Sequence, residues 1–260
     1  MDARQIIDLS MPVSATIVTD PPPLRPKIQY TGHKRGAEQM MPFFPGLKVE
    51  DLPECEGWAV EDIQLTAHSG THMDAPWHYH STTDHGSTPA PTIDEAPLHL
   101  FWRPGVKLDF RHLADGYVAT ADDVKVELDR IGHELQPFDI VLVNTAAAAA
   151  YGGPDFIDKG CGIGREATLF MCERGVQVVG TDAWSWDAPF SHTAKAFAAG
   201  GDPSIIWEGH KAGREMPYYQ MEKLFNLEAL PGDGFTVLCF PVKIERGSAG
   251  WVRAVAVLDQ

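Results

Sequence analysis

The segment 68-HSGTHMDAPWHYH-80 governs the reading of the whole chain, because its thirteen residues hold four of the eleven histidines and a single carboxylate, Asp74. A catalytic metal site needs nitrogen and oxygen ligands within ~2.0–2.2 Å of one point and an open position for water. His68, His72 and Asp74 supply two imidazoles and a carboxylate, a set suited to zinc, manganese or iron rather than to copper(I). His68 and His72 have the spacing of one helical face, but Ser69, Gly70 and Thr71 are poor helix formers, and position 69 lacks the glutamate of an H-E-x-x-H protease. Fully extended, the segment would hold the two Cα atoms ~13 Å apart at ~3.3 Å per residue, too far for easy convergence on one ion. Gly70 supplies the bend. Beyond it His72 and Asp74 share one face of an extended stretch. Pro76 is expected to keep the backbone out of helix, which places His78 near the metal as a general acid/base rather than on it. His80 and His85 read as ordinary surface histidines, and a cupin reading fails because no glutamate follows at the required distance.

The composition bounds the function classes. With 260 residues, 44% hydrophobic and 22% charged, the chain has the balance of a soluble globular protein. No linker-like tract divides it, so one domain over 1–260 is expected. A formal charge of −15 with scattered basic residues argues against nucleic acid. No apolar run approaches the ~20 residues of a membrane span, and residues 1–20 lack a secretory-signal pattern, so a cytoplasmic protein without membrane contact is expected. Cys55, Cys161, Cys172 and Cys239 show no C-x-x-C spacing and read as buried small hydrophobes.

Residues 5–9 and 14–19 predict an opening strand pair, and the prolines of 21-PPPLRPKI-28 forbid a helix there. The stretch 30–57, with Met40, Met41, Phe43 and Phe44, predicts a long loop or flap over a site, or a subunit contact. Then 58-WAVEDIQLTAH-68 alternates as a strand running into the histidines. Strands are expected at 105–110 and 139–145, with a helix at 121–135 capped by Thr120. The run 161-CGIGREATLFMCERG-175 predicts an amphipathic helix through Ile163, Ala167, Phe170 and Met171, stopped by Gly175 and followed by a buried strand in 176-VQVVGTDAWSWD-187. A second helix is expected in 217-PYYQMEKLFNLEAL-230. Strands 235–244 and 251–258 are expected to close the chain as an antiparallel pair joined by ERGSAG. The fragment 162-GIGR-165 lacks the third glycine of a dinucleotide fingerprint. The alanine run 146–150 should stop after one turn at 151-YGGP-154.

The histidine segment is similar to the signature H-x-G-T-H-x-D-x-P-x-H of the metal-dependent cyclase-like hydrolase family, which includes bacterial kynurenine formamidases and isatin hydrolases. IIDLSMPV, VVGTDAWSWD, MEKLFNLEALP and PVKIERGSAGWVRAVAV resemble further family blocks, in the family's order. The resemblance implies an α/β (α+β) fold, a swivelling β/β/α domain with a mixed or antiparallel barrel-like sheet flanked by helices. It also implies His68, His72 and Asp74 as metal ligands, His78 in proton transfer, and Asp74 bridging to a second ion held with His210 and Glu222. One or two Zn2+ or Mn2+ ions per subunit, and homodimers or homotetramers with the site near the subunit interface, follow from the same resemblance.

Such an ion lowers the pKa of bound water to ~7, so the expected reaction is hydrolysis of an amide or lactone in a small molecule by attack of metal-bound hydroxide. A cyclic or aryl substrate is preferred; the 30–57 insertion argues mildly against a plain kynurenine formamidase. The other readings are a non-catalytic binding member and a cyclase or dehydratase. Trp77, Phe43, Phe44, Trp184 and Trp186, with Tyr79 and Phe190, are candidates for the walls of a flat-ring pocket. Asp182 and Asp187 are expected to orient loops or neighbouring groups.

Overall fold

In the computed structural model, which describes residues 5–258, nine strands form one sheet. In chain order they are β1 (Ile6–Asp8), β2 (His72–Asp74), β3 (Trp102–Asp109), β4 (Ile140–Asn144), β5 (Val178–Thr181), β6 (Tyr219–Glu222), β7 (Phe235–Leu238), β8 (Ala249–Trp251) and β9 (Val255–Leu258). Their order across the sheet is β1-β9-β7-β3-β4-β5-β6-β2-β8. The central four, β3 to β6, are parallel, and both flanks are antiparallel. Parallel neighbours need crossovers. These carry the helices α3 (Ala121–Ile131), α4 (Arg165–Cys172), α5 (Phe190–Gly200) and α6 (Glu208–Lys211), while α1 (His33–Met40) and α2 (Pro76–Tyr79) precede them in the chain.

The sheet must curl. Only residues 252–254 separate β8 from β9, a span of about 14 Å at most. The two strands stand seven places apart in the sheet, which would be ~34 Å if it were flat. Curling closes that gap, and lone bridges from Pro241 to Val252 and from Ser10 to Leu224 stitch the edges. Alternation along β4 then divides two cores. Ile140 and Leu142 pack with Leu9, Met73, Met221 and Phe235 inside the curl, whereas Val141 and Val143 pack with Val106, Val179 and the helix residues Val124 and Met171 outside it.

Several expectations are met. Thr120 caps α3, accepting from Asp123 N at 3.2 Å while the Asp123 carboxylate accepts from Thr120 N, and Gly132 ends the helix at φ 78°. The alanine run is a single 3-10 turn, Ala146–Ala150.

Others are corrected. Residues 14–19 form no strand but bend at 15–17, where Ser14 Oγ accepts from Thr16 N and Ile17 N, and β1 pairs with β9 instead. One 3-10 turn, Pro22–Leu24, does form among the prolines, which fit its first positions. The 30–57 stretch contains α1, packed through the buried Gly36 and Ala37, whose neighbour Trp58 leaves no room for a larger residue at 36. Strand Val60–Gln64 pairs with Lys27–Thr31 in a separate two-stranded sheet and ends before the histidines.

Pro76, expected to exclude helix, starts α2: it holds Ala75 extended at ψ 159° and itself occupies the first helical position, where its missing N–H is not needed. Ile163 belongs to a short strand with Gly162, so α4 starts later than expected, at Arg165. The helix expected within 217–230 is absent; Tyr219–Glu222 is β6, held between β5 and β2 and buried on both faces. Lys223 and Asn226, both at φ 57°, break any helix that would follow. Strands β7 and β9 do pair, but ERGSAG is not their turn, because the intervening chain crosses to the far edge as β8. Cys161, Cys172 and Cys239 are buried, whereas Cys55 is exposed.

Candidate metal centre

The antiparallel register of β2 against β6 sets Gln220 opposite Asp74 and Glu222 opposite His72. His72, Asp74, Gln220 and Glu222 are all buried there. Gly70, at φ 64°, turns the chain so that His68 reaches the same carboxylate. The short helix α2 returns His78 to the cluster, and α6 brings His210.

The six side chains converge. Asp74 Oδ1 lies 2.9 Å from His68 Nδ1 and 3.2 Å from His72 Nε2, and Asp74 Oδ2 lies 3.8 Å from His210 Nε2 and 3.9 Å from His78 Nε2. Glu222 is 3.6 Å from His72 Nε2 and 3.4 Å from His210 Nε2. Ligand-type atoms of His68, Asp74 and His78 fall within 4.8 Å of one another, as do those of His72, Asp74 and Glu222.

The hydrogen bonds fix which ring atoms face inward. His72 Nδ1 is 2.9 Å from the Gly70 carbonyl and His210 Nδ1 is 2.5 Å from Asp187 Oδ2, so each donates there and turns Nε2 toward the carboxylates. His68 Nε2 is held at 3.0 Å by Ser248 Oγ. Despite their proximity, His72 Nε2 and both oxygens of Asp74 are buried without a hydrogen-bond partner. Buried polar atoms are rarely left so, and this donor set fits a shared cation.

The electrostatics agree. Burial pushes His210 down, but the Asp187 hydrogen bond and the Asp74 and Glu222 carboxylates outweigh it and raise its pKa well above the usual value. Asp74, pushed up by burial, is held well below the carboxylate range by His72, His210 and His68. The two carboxylates thus demand positive charge between the imidazoles. For His78 burial dominates and lowers the pKa to about 4, so its ring is neutral at neutral pH.

A model of the family described as "Putative cyclase" matches residues 7–188. The chain belongs to this cyclase family. A kynurenine formamidase from Paracidovorax citrulli is 25% identical over 233 residues, covering 82% of this chain and 89% of that protein. An isatin hydrolase from Roseibium aggregatum is 26% identical over 213 residues, 75% of this chain and 73% of its own length. The crystal structure of an isatin hydrolase bound to the product analogue thioisatinate matches at a TM-score of 0.75 with 20% identity, over 98% of this chain and 93% of that one. At that identity the match speaks for the shared fold.

In this cyclase-family chain a cavity of about 320 Å³ opens beside the cluster, lined among others by His68, His78, Trp184, Phe190, Trp207 and Lys223. Of the aromatic residues expected at a pocket, Trp184 and Phe190 lie on it. Trp186 is in the core, its Nε1 donating to Thr168 Oγ1, while its backbone N–H donates to Glu222 Oε1. Trp77, Phe43 and Phe44, exposed by 45%, 69% and 52%, are not on this cavity. Trp207 was not legible from sequence. It stacks on His210 with centroids 4.4 Å apart and meets His78 edge-on, held by a backbone φ of 60° that no pattern announces. Gln220, which donates to Glu222 Oε1 at 2.8 Å, and Ser248 are likewise visible only in three dimensions.

Proposed function

We propose that this protein is a metal-dependent amide hydrolase whose substrate carries a flat ring, a cyclic amide or an aryl amide. The observation that carries the reading is the set of inward-turned imidazole nitrogens, with His72 Nε2 and both Asp74 oxygens unpartnered, beside an aromatic cavity. The kynurenine formamidase and isatin hydrolase among its relatives support amide hydrolysis as the reaction class.

His68, His72 and Asp74 would hold one divalent ion, and Asp74, His210 and Glu222 a second; zinc and manganese suit such a set. A bound ion of this kind lowers the pKa of water to ~7 and polarises a carbonyl. The chain's own residues supply the rest. Asp187 fixes the His210 tautomer and Gly70 O that of His72. His78 Nε2, neutral at neutral pH, is placed to take the proton of the attacking water and pass it to the departing nitrogen. Trp184, Phe190 and Trp207 wall the ring and exclude water.

The test is hydrolysis of a panel of anilides and cyclic amides with zinc- and manganese-loaded protein, together with His78→Ala. The variant should keep its metal and lose ~10²–10⁴ in rate. Unchanged turnover in His78→Ala would remove His78 from the mechanism. Products without the mass of an added water would point to a cyclase or dehydratase.

A further inference from the structure

Lys223 ends β6 directly after Glu222 and has no part in the mechanism above. Its side chain is 2% exposed, and its ammonium donates to Asp20 Oδ1 at 2.5 Å and to the His68 carbonyl at 2.9 Å. Asp20 Oδ1 also accepts from Trp184 Nε1 at 3.0 Å, and the ammonium sits 5.4 Å from the Trp184 ring centroid. An ammonium has three donors; two are paired with protein. Lys223 lines the catalytic cavity, and it is the one Lys or Arg among the residues described as lining it.

The backbone reinforces the point. Lys223 is held at φ 57°, a conformation that costs a residue with a Cβ of order 1 kcal/mol. It is pinned there from both sides: its N–H donates to Ala183 O at 3.0 Å, and its carbonyl accepts from Thr71 Oγ1 at 2.5 Å. Burying a charged pair costs desolvation, so a hydrophobic pair would serve equally well as a wall. Strain and buried charge at a cavity wall suggest a task.

We infer that Lys223 is a substrate-binding residue: its third N–H binds an acceptor oxygen, a ring carbonyl or carboxylate, carried by the substrate beside the scissile amide. Asp20 neutralises the buried ammonium, and the His68 carbonyl helps to hold it in place. This rests on the amide-hydrolase reading for its substrate class, but product binding tests it without turnover.

Lys223→Met alone would strand the Asp20 carboxylate, so the comparison uses Asp20→Asn, which keeps the ammonium, and the double variant Asp20→Asn/Lys223→Met, which removes it without leaving a buried charge. Metal-loaded proteins are titrated calorimetrically with 2-aminoacetophenone and with aniline, and assayed on 2-acetylformanilide and formanilide. The wild type and Asp20→Asn should prefer the acetyl compound of each pair by at least about tenfold, the scale of one charge-assisted hydrogen bond. The double variant should bind both members alike, with its loss of kcat/KM confined to the acetyl substrate. A double variant that keeps the preference overturns the inference, as does a wild type without one. Equal loss in both variants overturns it too, by making the pair a structural clamp. Selective binding without hydrolysis of either amide would leave Lys223 its role and refute the hydrolase reading.

Discussion

The residues that touch the imidazoles from behind decide what the centre can do. Asp187 accepts from His210 Nδ1 and also from the backbone N–H groups of Gly209 and His210, so it locks the ring on its helix. Asp187→Asn removes the charge that raises His210, and the expected result is a 10–100-fold loss of metal affinity, read by competition with a chelating indicator. Asp182 follows a different logic. It is fully buried, and desolvation raises its pKa to about 7 although Thr145 N and Oγ1 donate to it. A raised carboxyl contributes stability that is present below its unfolded value of 3.8 and is lost as pH rises through about 7. Asp182→Asn should therefore flatten the fall in stability between these pH values, measured as the difference in denaturation midpoint from wild type. Asn144 Oδ1, buried without a partner, can accept from the new amide once Asn144 flips. An unchanged pH slope would mean that Asp182 stays ionised throughout.

At the level of elements, the histidine segment was legible because its parts are local. A glycine hinge and a period-two pair are written in consecutive residues, whereas Pro76 reads as a helix breaker and in fact opens α2. Gly70→Ala tests the hinge. The added Cβ meets only Val13 Cγ2 at 3.4 Å, so the cost is the backbone at φ 64°. About 1 kcal/mol, or roughly 2–4 °C in Tm, is expected, with weaker metal binding as the turn relaxes. Unchanged Tm and affinity would show that the hinge is dispensable. Residues 217–230 read as a helix because Met221, Leu224, Phe225 and Leu227 fit a helical period as well as a strand's. What decides the matter is pairing of Tyr219–Glu222 with β5 and β2, which no local pattern encodes. His210 and Glu222 were reached through resemblance alone, for the same reason: their meeting with Asp74 depends on that pairing.

Across the whole molecule, the curl of the sheet joins these distant pieces, and its signature, a three-residue step from β8 to β9 across seven strand positions, is invisible until the order of strands is known. The two-stranded sheet of Lys27–Thr31 and Val60–Gln64 and the turn carrying Phe43, which packs on Trp58, leave Tyr30, Phe43 and Ile63 exposed. If two or four copies assemble through this face, Ile63→Asp should shift light-scattering mass toward the monomer; an unchanged mass would place the contact elsewhere. The proposed function makes this fold an amide hydrolase only with metal bound. Its most direct test is the rate of anilide and cyclic-amide hydrolysis after stripping with a chelator and again after zinc or manganese is restored. The rate should fall to background and then recover; a rate indifferent to stripping, or no hydrolysis with either ion, would contradict the proposed function.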